Sequence, residues 1–180
     1  MRHRAGLRAA ALAVAILAGC ASAPPAPPDA SSLSGRLSLQ VAATQDRPAQ
    51  SLNAAFELQG GADHGELRLS TPLGTTLALA AWLPGQARLV TPQGERRFDD
   101  LDALSREVFG EELPLRALPD WLRGHPWSGA ADAAQPLPDA PGFAQLGWHI
   151  ELAGFASGLV QARRAGPPAV RLRAQIDPAP

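Results

Sequence analysis

Side chains able to do chemistry are few in this chain. It holds one cysteine, Cys20, and four histidines, His3, His64, His125 and His149. A thiolate can attack or bind metal, and an imidazole can bind zinc or move protons, but both need neighbours at fixed spacing. No two histidines have metal-pair spacing, no HExxH occurs, and one cysteine is too few for a zinc cluster. A Walker loop and a GxSxG elbow are absent, and Gly60-Gly61 reads as a hairpin turn rather than a phosphate cradle. The acid pairs Asp99-Asp100 and Glu111-Glu112 suit helix caps or solvent. His125, before Pro126, suits a loop. The expectation is no enzyme activity, no metal and no cofactor. Two residues remain to be explained: the lone thiol of Cys20, and Leu73, an apolar residue in a turn.

The thiol follows a leader. Residues 1–8, MRHRAGLR, carry three arginines and no acid, and residues 9–18 are an apolar run. This is the pattern of a secretory signal, with an apolar core too short to span a bilayer easily. The run ends in Leu17-Ala18-Gly19-Cys20, which resembles the lipobox of bacterial lipoproteins. That resemblance implies cleavage of residues 1–19 and lipidation of Cys20. It gives a reason for a lone thiol in an exported chain, where no internal disulfide can form. Residues 20–33 are then a tether, rich in Pro, Ala and Ser, extended and semi-rigid. Position 21 is Ala; the enterobacterial sorting rule retains lipoproteins with Asp there in the inner membrane, so Ala implies the outer membrane.

Losing Arg2, Arg4 and Arg8 with the leader leaves 13 arginines against 17 acids, a formal charge of −4. That balance disfavours nucleic acid. What remains, residues 34–180, suits one domain with a real core.

Most of that domain alternates. Leu37, Leu39 and Val41 alternate with polar or small residues, as do Leu52, Ala54, Phe56 and Leu58. Leu67 and Leu69 continue the pattern, then Leu77, Leu79 and Ala81. Further strands are expected at 88–90, 96–98, 148–152, 159–163 and 170–176. One apolar face on each implies half-buried antiparallel strands. Turns at Gln59-Gly60-Gly61, Pro84-Gly85 and Pro92-Gln93-Gly94 make a barrel or strongly curved sheet. Leu101, Leu104 and Val108 then take helical spacing, with Asp99 or Asp100 as N-cap and Gly110 as stop. Leu115, Leu118 and Leu122 predict a second helix beside Trp121, which Pro119 should break or kink and Gly124 should end. Two helices interrupting a meander are the natural cover for a concave sheet face. Their apolar stripes serve equally for packing onto a filled core or for roofing a cavity.

Thr71-Pro72-Leu73-Gly74 fits a type I turn, with Pro second and Gly fourth. That puts Leu73 on the tip, where a lone exposed leucine is unremarkable in itself.

Several segments together resemble the LolB family: GRLSL, AAFELQ, Pro72-Leu73-Gly74 after a strand, the helix running to Gly110, and the Leu113–Gly124 stretch LPLRALPDWLRG. The likeness covers roughly residues 34 to 127. It implies a mainly β fold, a half-open antiparallel β-barrel with a helical lid over an apolar cavity. It implies an outer-membrane lipoprotein facing the periplasm, a monomer, that accepts acylated lipoproteins from the periplasmic carrier LolA and inserts them into the inner leaflet of the outer membrane. Outer-membrane phospholipid is then a partner, and Pro72, Leu73 and Gly74 form the membrane-insertion loop. The cavity wall is expected at Leu37, Leu39, Phe56, Leu67, Leu69, Leu77 and Leu79 from strands, with Leu104, Leu118 and Trp121 from the lid. Two alternatives share these features: a lipid-binding or sensor lipoprotein of the same fold, and a structural scaffold of outer-membrane assembly with a filled core.

Overall fold

The computed structural model describes residues 32–178. The leader at 1–19, Cys20 and all of the tether but its last two residues lie outside the described residues.

Strands β1 (Leu33–Val41), β2 (Gln50–Gly60), β3 (Gly65–Ser70), β4 (Thr76–Leu83), β5 (Gln86–Thr91) and β6 (Gly94–Phe98) form a first meander. Helices α1 (Leu101–Phe109) and α2 (Leu118–Leu122) follow. A second meander is built from β7 (Gln135–Pro136), β8 (Gly142–Gln145), β9 (Trp148–Glu151), β10 (Leu159–Arg164) and β11 (Val170–Ile176). The meanders meet where β1 pairs antiparallel with β11, Leu39 opposite Leu172. The result is a single 11-stranded antiparallel sheet with β6 and β7 at its edges. It curls without closing, a half-open barrel with a helical lid. All strands, both helices and the core they bury lie within residues 33–176, so this segment carries its own core. No helix among the described residues is long and apolar enough to cross a membrane.

The alternation works as expected along β1, where Leu37, Leu39 and Val41 are buried and Arg36 and Gln40 exposed. It works along β2, where Ala54, Phe56 and Leu58 are buried. On β4 the phase differs from the expectation. Ala80 and Trp82 are buried, so the even positions face inward and Leu79 faces out, cross-strand from Arg68 and Val90. The register shifts at Leu69/Ser70, where Ser70 pairs with Thr76 but Leu69 with Ala78. Leu77 is the extra residue of a β-bulge, and one extra residue reverses the facing of everything that follows.

Helix α1 begins at Asp100, whose Oδ1 accepts from the Ala103 amide at 2.7 Å, and ends at Gly110 in the left-handed region (φ 72°). Helix α2 is shorter than its leucine spacing suggests. Pro119 sits in its first turn, where a missing N–H costs nothing, so it starts the helix instead of breaking it. Leu115 belongs to the preceding turn, with the Leu118 amide donating to the Leu115 carbonyl.

Candidate functional site

Leucines on β1 and β3 form one wall of the concave face, but β4 adds beside them only Leu77, at the bulge, and the small Ala78 and Ala80. Protein interiors are normally packed without voids. Here the small side chains leave space between sheet and lid, and every residue of β3 is only partly buried. The space is a cavity of about 300 Å³. Its floor is Leu37, Leu39, Leu52, Leu67, Leu69, Leu77, Ala78, Ala80, Leu89 and Leu172. Its roof comes from the lid: Leu104, Val108 and Phe109 of α1, then Leu113, Pro114, Leu115, Leu118 and Trp121, with Trp148 at one side. Gln50 is the one polar lining residue, and its Nε2 donates to the Phe109 carbonyl at 3.4 Å.

Eight of the ten residues expected on the wall line this cavity: Leu37, Leu39, Leu67, Leu69, Leu77, Leu104, Leu118 and Trp121. Leu77 does so from the bulge. Phe56 faces inward but is 1 % exposed and belongs to the packed core. Leu79 is on the outer face, displaced by the bulge. Leu52, Val108 and Leu172 also line it, from the apolar face of β2, the stripe of α1 and the strand at 170–176 that the sequence shows; Gln50 has no distinguishing signal in the sequence.

Two buried polar side chains hold the lid in place. Ser105, fully buried, donates its hydroxyl to the Asp102 carbonyl and accepts from the Leu113 amide at 3.1 Å. It thereby pins the connection between the helices to α1. Gln145 on β8 is 5 % exposed. Its Oε1 accepts from Trp121 Nε1 and from the Trp127 amide, both at 2.9 Å, while its Nε2 donates to the Trp127 carbonyl at 2.9 Å. Helix α2 is thus fastened to the second meander, and the Trp121 and Trp148 rings meet at 6.0 Å between centroids. At the foot of α1, burial pushes the Asp102 carboxyl above its usual range, and the negative charges of Glu112 and Asp100 push it further, against Arg116 and Arg106.

Outside the cavity, the β3–β4 loop is closed by its own backbone. The Gly74 amide donates to the Thr71 carbonyl at 2.9 Å and the Thr71 amide to the Thr75 carbonyl at 2.8 Å. The Thr71 hydroxyl oxygen accepts from the Thr75 amide at 3.1 Å. Gly74 has φ 84°, a turn residue that only glycine adopts without strain. Held this way, Leu73 is 95 % exposed at the tip.

His64, His125 and His149 are exposed and lie on separate segments. Among the described residues no cluster of His, Cys, Asp and Glu could hold a metal ion. The arrangement can enclose an apolar ligand and present one apolar side chain to an outside surface.

The model of the family described as outer membrane lipoprotein LolB matches residues 29–177. The chain is 35% identical over 154 residues to the outer-membrane lipoprotein LolB of Bordetella pertussis strain Tohama I, covering 80% of this chain and 76% of that protein. It is 34% identical over 165 residues to the protein of the same name from Bordetella petrii, covering 85% and 82%. The corresponding protein of Dechloromonas aromatica strain RCB is 34% identical over 147 residues, covering 78% and 77%. The likeness therefore extends through the second meander, beyond residue 127.

Proposed function

The chain belongs to the LolB family, and from that premise we propose that it receives acylated lipoproteins from a LolA-type periplasmic carrier and inserts them into the outer membrane. It is anchored there through lipidated Cys20, with the half-barrel facing the periplasm. The observation that carries this reading is the lidded, almost wholly apolar cavity of about 300 Å³. Acyl chains gain about 0.8 kcal/mol per buried CH₂, so they cross water only inside an apolar container. The volume is at the low end for ligand cavities, which run from about 300 to 1,000 Å³. Taking several chains requires the lid to lift from the sheet, with α1 moving away from β5 and β6. Transfer changes no covalent bond and needs only that each acceptor bind the acyl chains more favourably than the last. Leu73 marks the end of the domain that meets the bilayer.

A transfer assay tests this. The segment from Ser22 onward, without lipid, is mixed with a LolA-type carrier loaded with tagged lipoprotein, and liposomes are then added. Cargo should move to this protein and then into liposomes. Cargo retained by the carrier, while an acyl probe still binds the segment, would indicate a lipid carrier or sensor. Absence of both would favour a scaffold.

A further inference from the structure

The outer face of the sheet carries a second concavity, beside the Leu73 loop. One rung of the sheet runs from Ser70 through Ala55 and Arg36 to Gln175, across β3, β2, β1 and β11. Pro72, two residues beyond Ser70, borders this rung. A pocket of about 290 Å³ lies there, lined by Pro72 together with Arg36, Ser38, Asn53, Arg173 and Gln175 among others, none of them acidic. Arg36 is opposite Gln175 and Arg173 opposite Ser38, so the two guanidiniums are diagonal neighbours on one face. Both residues are exposed. Neither forms an ion pair among the described residues. The acids of this face are engaged elsewhere. Glu57 faces Arg68 at 3.8 Å, Glu151 faces Arg163 at 2.9 Å, and Asp177 accepts from the Ser34 hydroxyl at 3.3 Å.

Two unpaired guanidinium forks beside the Asn53 amide are a donor set for phosphate oxygens, which arginine matches in shape as well as charge, while the Gln175 Nε2 at the rim donates to the Ser157 carbonyl at 2.6 Å. Pro72 joins this pocket directly to Leu73. We propose that the pocket takes the phosphate of an anionic phospholipid headgroup while Leu73 enters the acyl layer beside it. This rests on the reading of Leu73 as the lipid-facing residue. The mature chain is net negative, so an anionic surface repels it as a whole. A local basic site on the membrane-facing end supplies both attraction and orientation.

The test uses residues 21–180, which retain the entire core, as wild type, as the double variant Arg36→Gln/Arg173→Gln, and as Leu73→Glu. Sedimentation with vesicles of pure phosphatidylcholine is compared with vesicles containing one-third phosphatidylglycerol. Each arginine near an anionic surface contributes about a fivefold gain in binding, so the pair gives a preference of about 30-fold. That preference should vanish in the double variant and fade at high salt, with binding to phosphatidylcholine unchanged. A double variant that keeps the full preference overturns the proposal. So does inorganic phosphate bound tightly in the absence of any vesicle preference, which would assign the pocket to a soluble anion. Loss of uptake from the carrier with vesicle binding intact would assign the arginines to an acidic protein, and also overturns it. Wild-type binding of Leu73→Glu to both vesicle types would instead refute the Leu73 reading, while the arginine pair still reports on the headgroup.

Discussion

Leu73→Glu separates membrane contact from every other property of the domain. The side chain is 95 % exposed, and the loop holds its shape through backbone bonds and the Thr71 hydroxyl, none of which uses the Leu73 side chain. Surface changes of this kind shift stability by no more than about 0.5 kcal/mol, so thermal unfolding should be unaltered. The cavity is also untouched, and uptake of cargo from the carrier should proceed at the wild-type rate. What changes is the bilayer contact. A leucine moved fully from water into an apolar layer contributes about 1.5–3 kcal/mol, so Leu73→Ala should lower vesicle partitioning about 10- to 150-fold. Leu73→Glu should lower it further, since a carboxylate must then approach hydrocarbon. The assay follows tagged lipoprotein from the preloaded domain into liposomes. The expected result is cargo held on the variant and delivered slowly. Delivery by Leu73→Glu at the wild-type rate would refute the reasoning and leave the leucine as ordinary surface.

Other predictions concern the interior. Ala78→Phe fills the space that the small side chains of β4 leave open; binding of a fluorescent fatty acid should fall at least tenfold, in line with loss of a few buried CH₂ contacts at about 0.8 kcal/mol each, and titration of the probe measures it. Gln145→Leu strands the Trp121 indole N–H and the Trp127 amide, and leaves the Trp127 carbonyl only the Ala130 amide at 3.5 Å. At about 1–3 kcal/mol for each buried polar group left unpaired, urea unfolding should show a loss of several kcal/mol, and a variant as stable as wild type would mean that Gln145 does not fasten the lid. Asp102 has a raised folded-state pKa, so the folded state holds that proton more tightly than the unfolded chain does. Its effect is a stability loss that begins as pH rises past the ordinary carboxyl value and is complete once pH has passed the raised folded pKa; Asp102→Asn should therefore be more stable than wild type at neutral pH, with the gain disappearing below the ordinary carboxyl range, as a pair of melting curves at pH 7 and pH 3 would show.

The strands that could be read from the sequence are those with long, strict alternation. β1 and β2 emerge with their inward leucines and Phe56 assigned to the right face, because period-two burial dominates when a strand is long and one-sided. β7 and β8 escaped, since Gln135–Pro136 is two residues and Gly142–Gln145 four, too short for a period to register. The error at Leu79 has a single cause: the bulge at Leu77 inserts one residue, and nothing in the string TTLALAA marks where an insertion falls. Pro119 reads as a helix breaker because its leucine neighbours suggest an earlier start; the helix begins only at Leu118, and there the same proline is favourable. Gln145 was invisible, as one glutamine looks like any other until the fold brings Trp121 and Trp127 to it.

The seam between β1 and β11 gives the chain a fixed order of events. The first strand of the domain has β2 on one side, available at once, but its other partner is the last strand made, with Val41 opposite Val170. Non-local pairings of this kind must close a long loop before they return any stabilisation, and they slow folding. As the chain is made from its amino end, the sheet stays in two separate pieces until β11 is available. Until then the cavity lacks Leu172, and the second meander that carries Trp148 is not joined to the first. Cutting the chain before Val170 should remove more than one strand. It would unstitch the two meanders from each other, leaving β1 and β10 as raw edges able to pair with other chains.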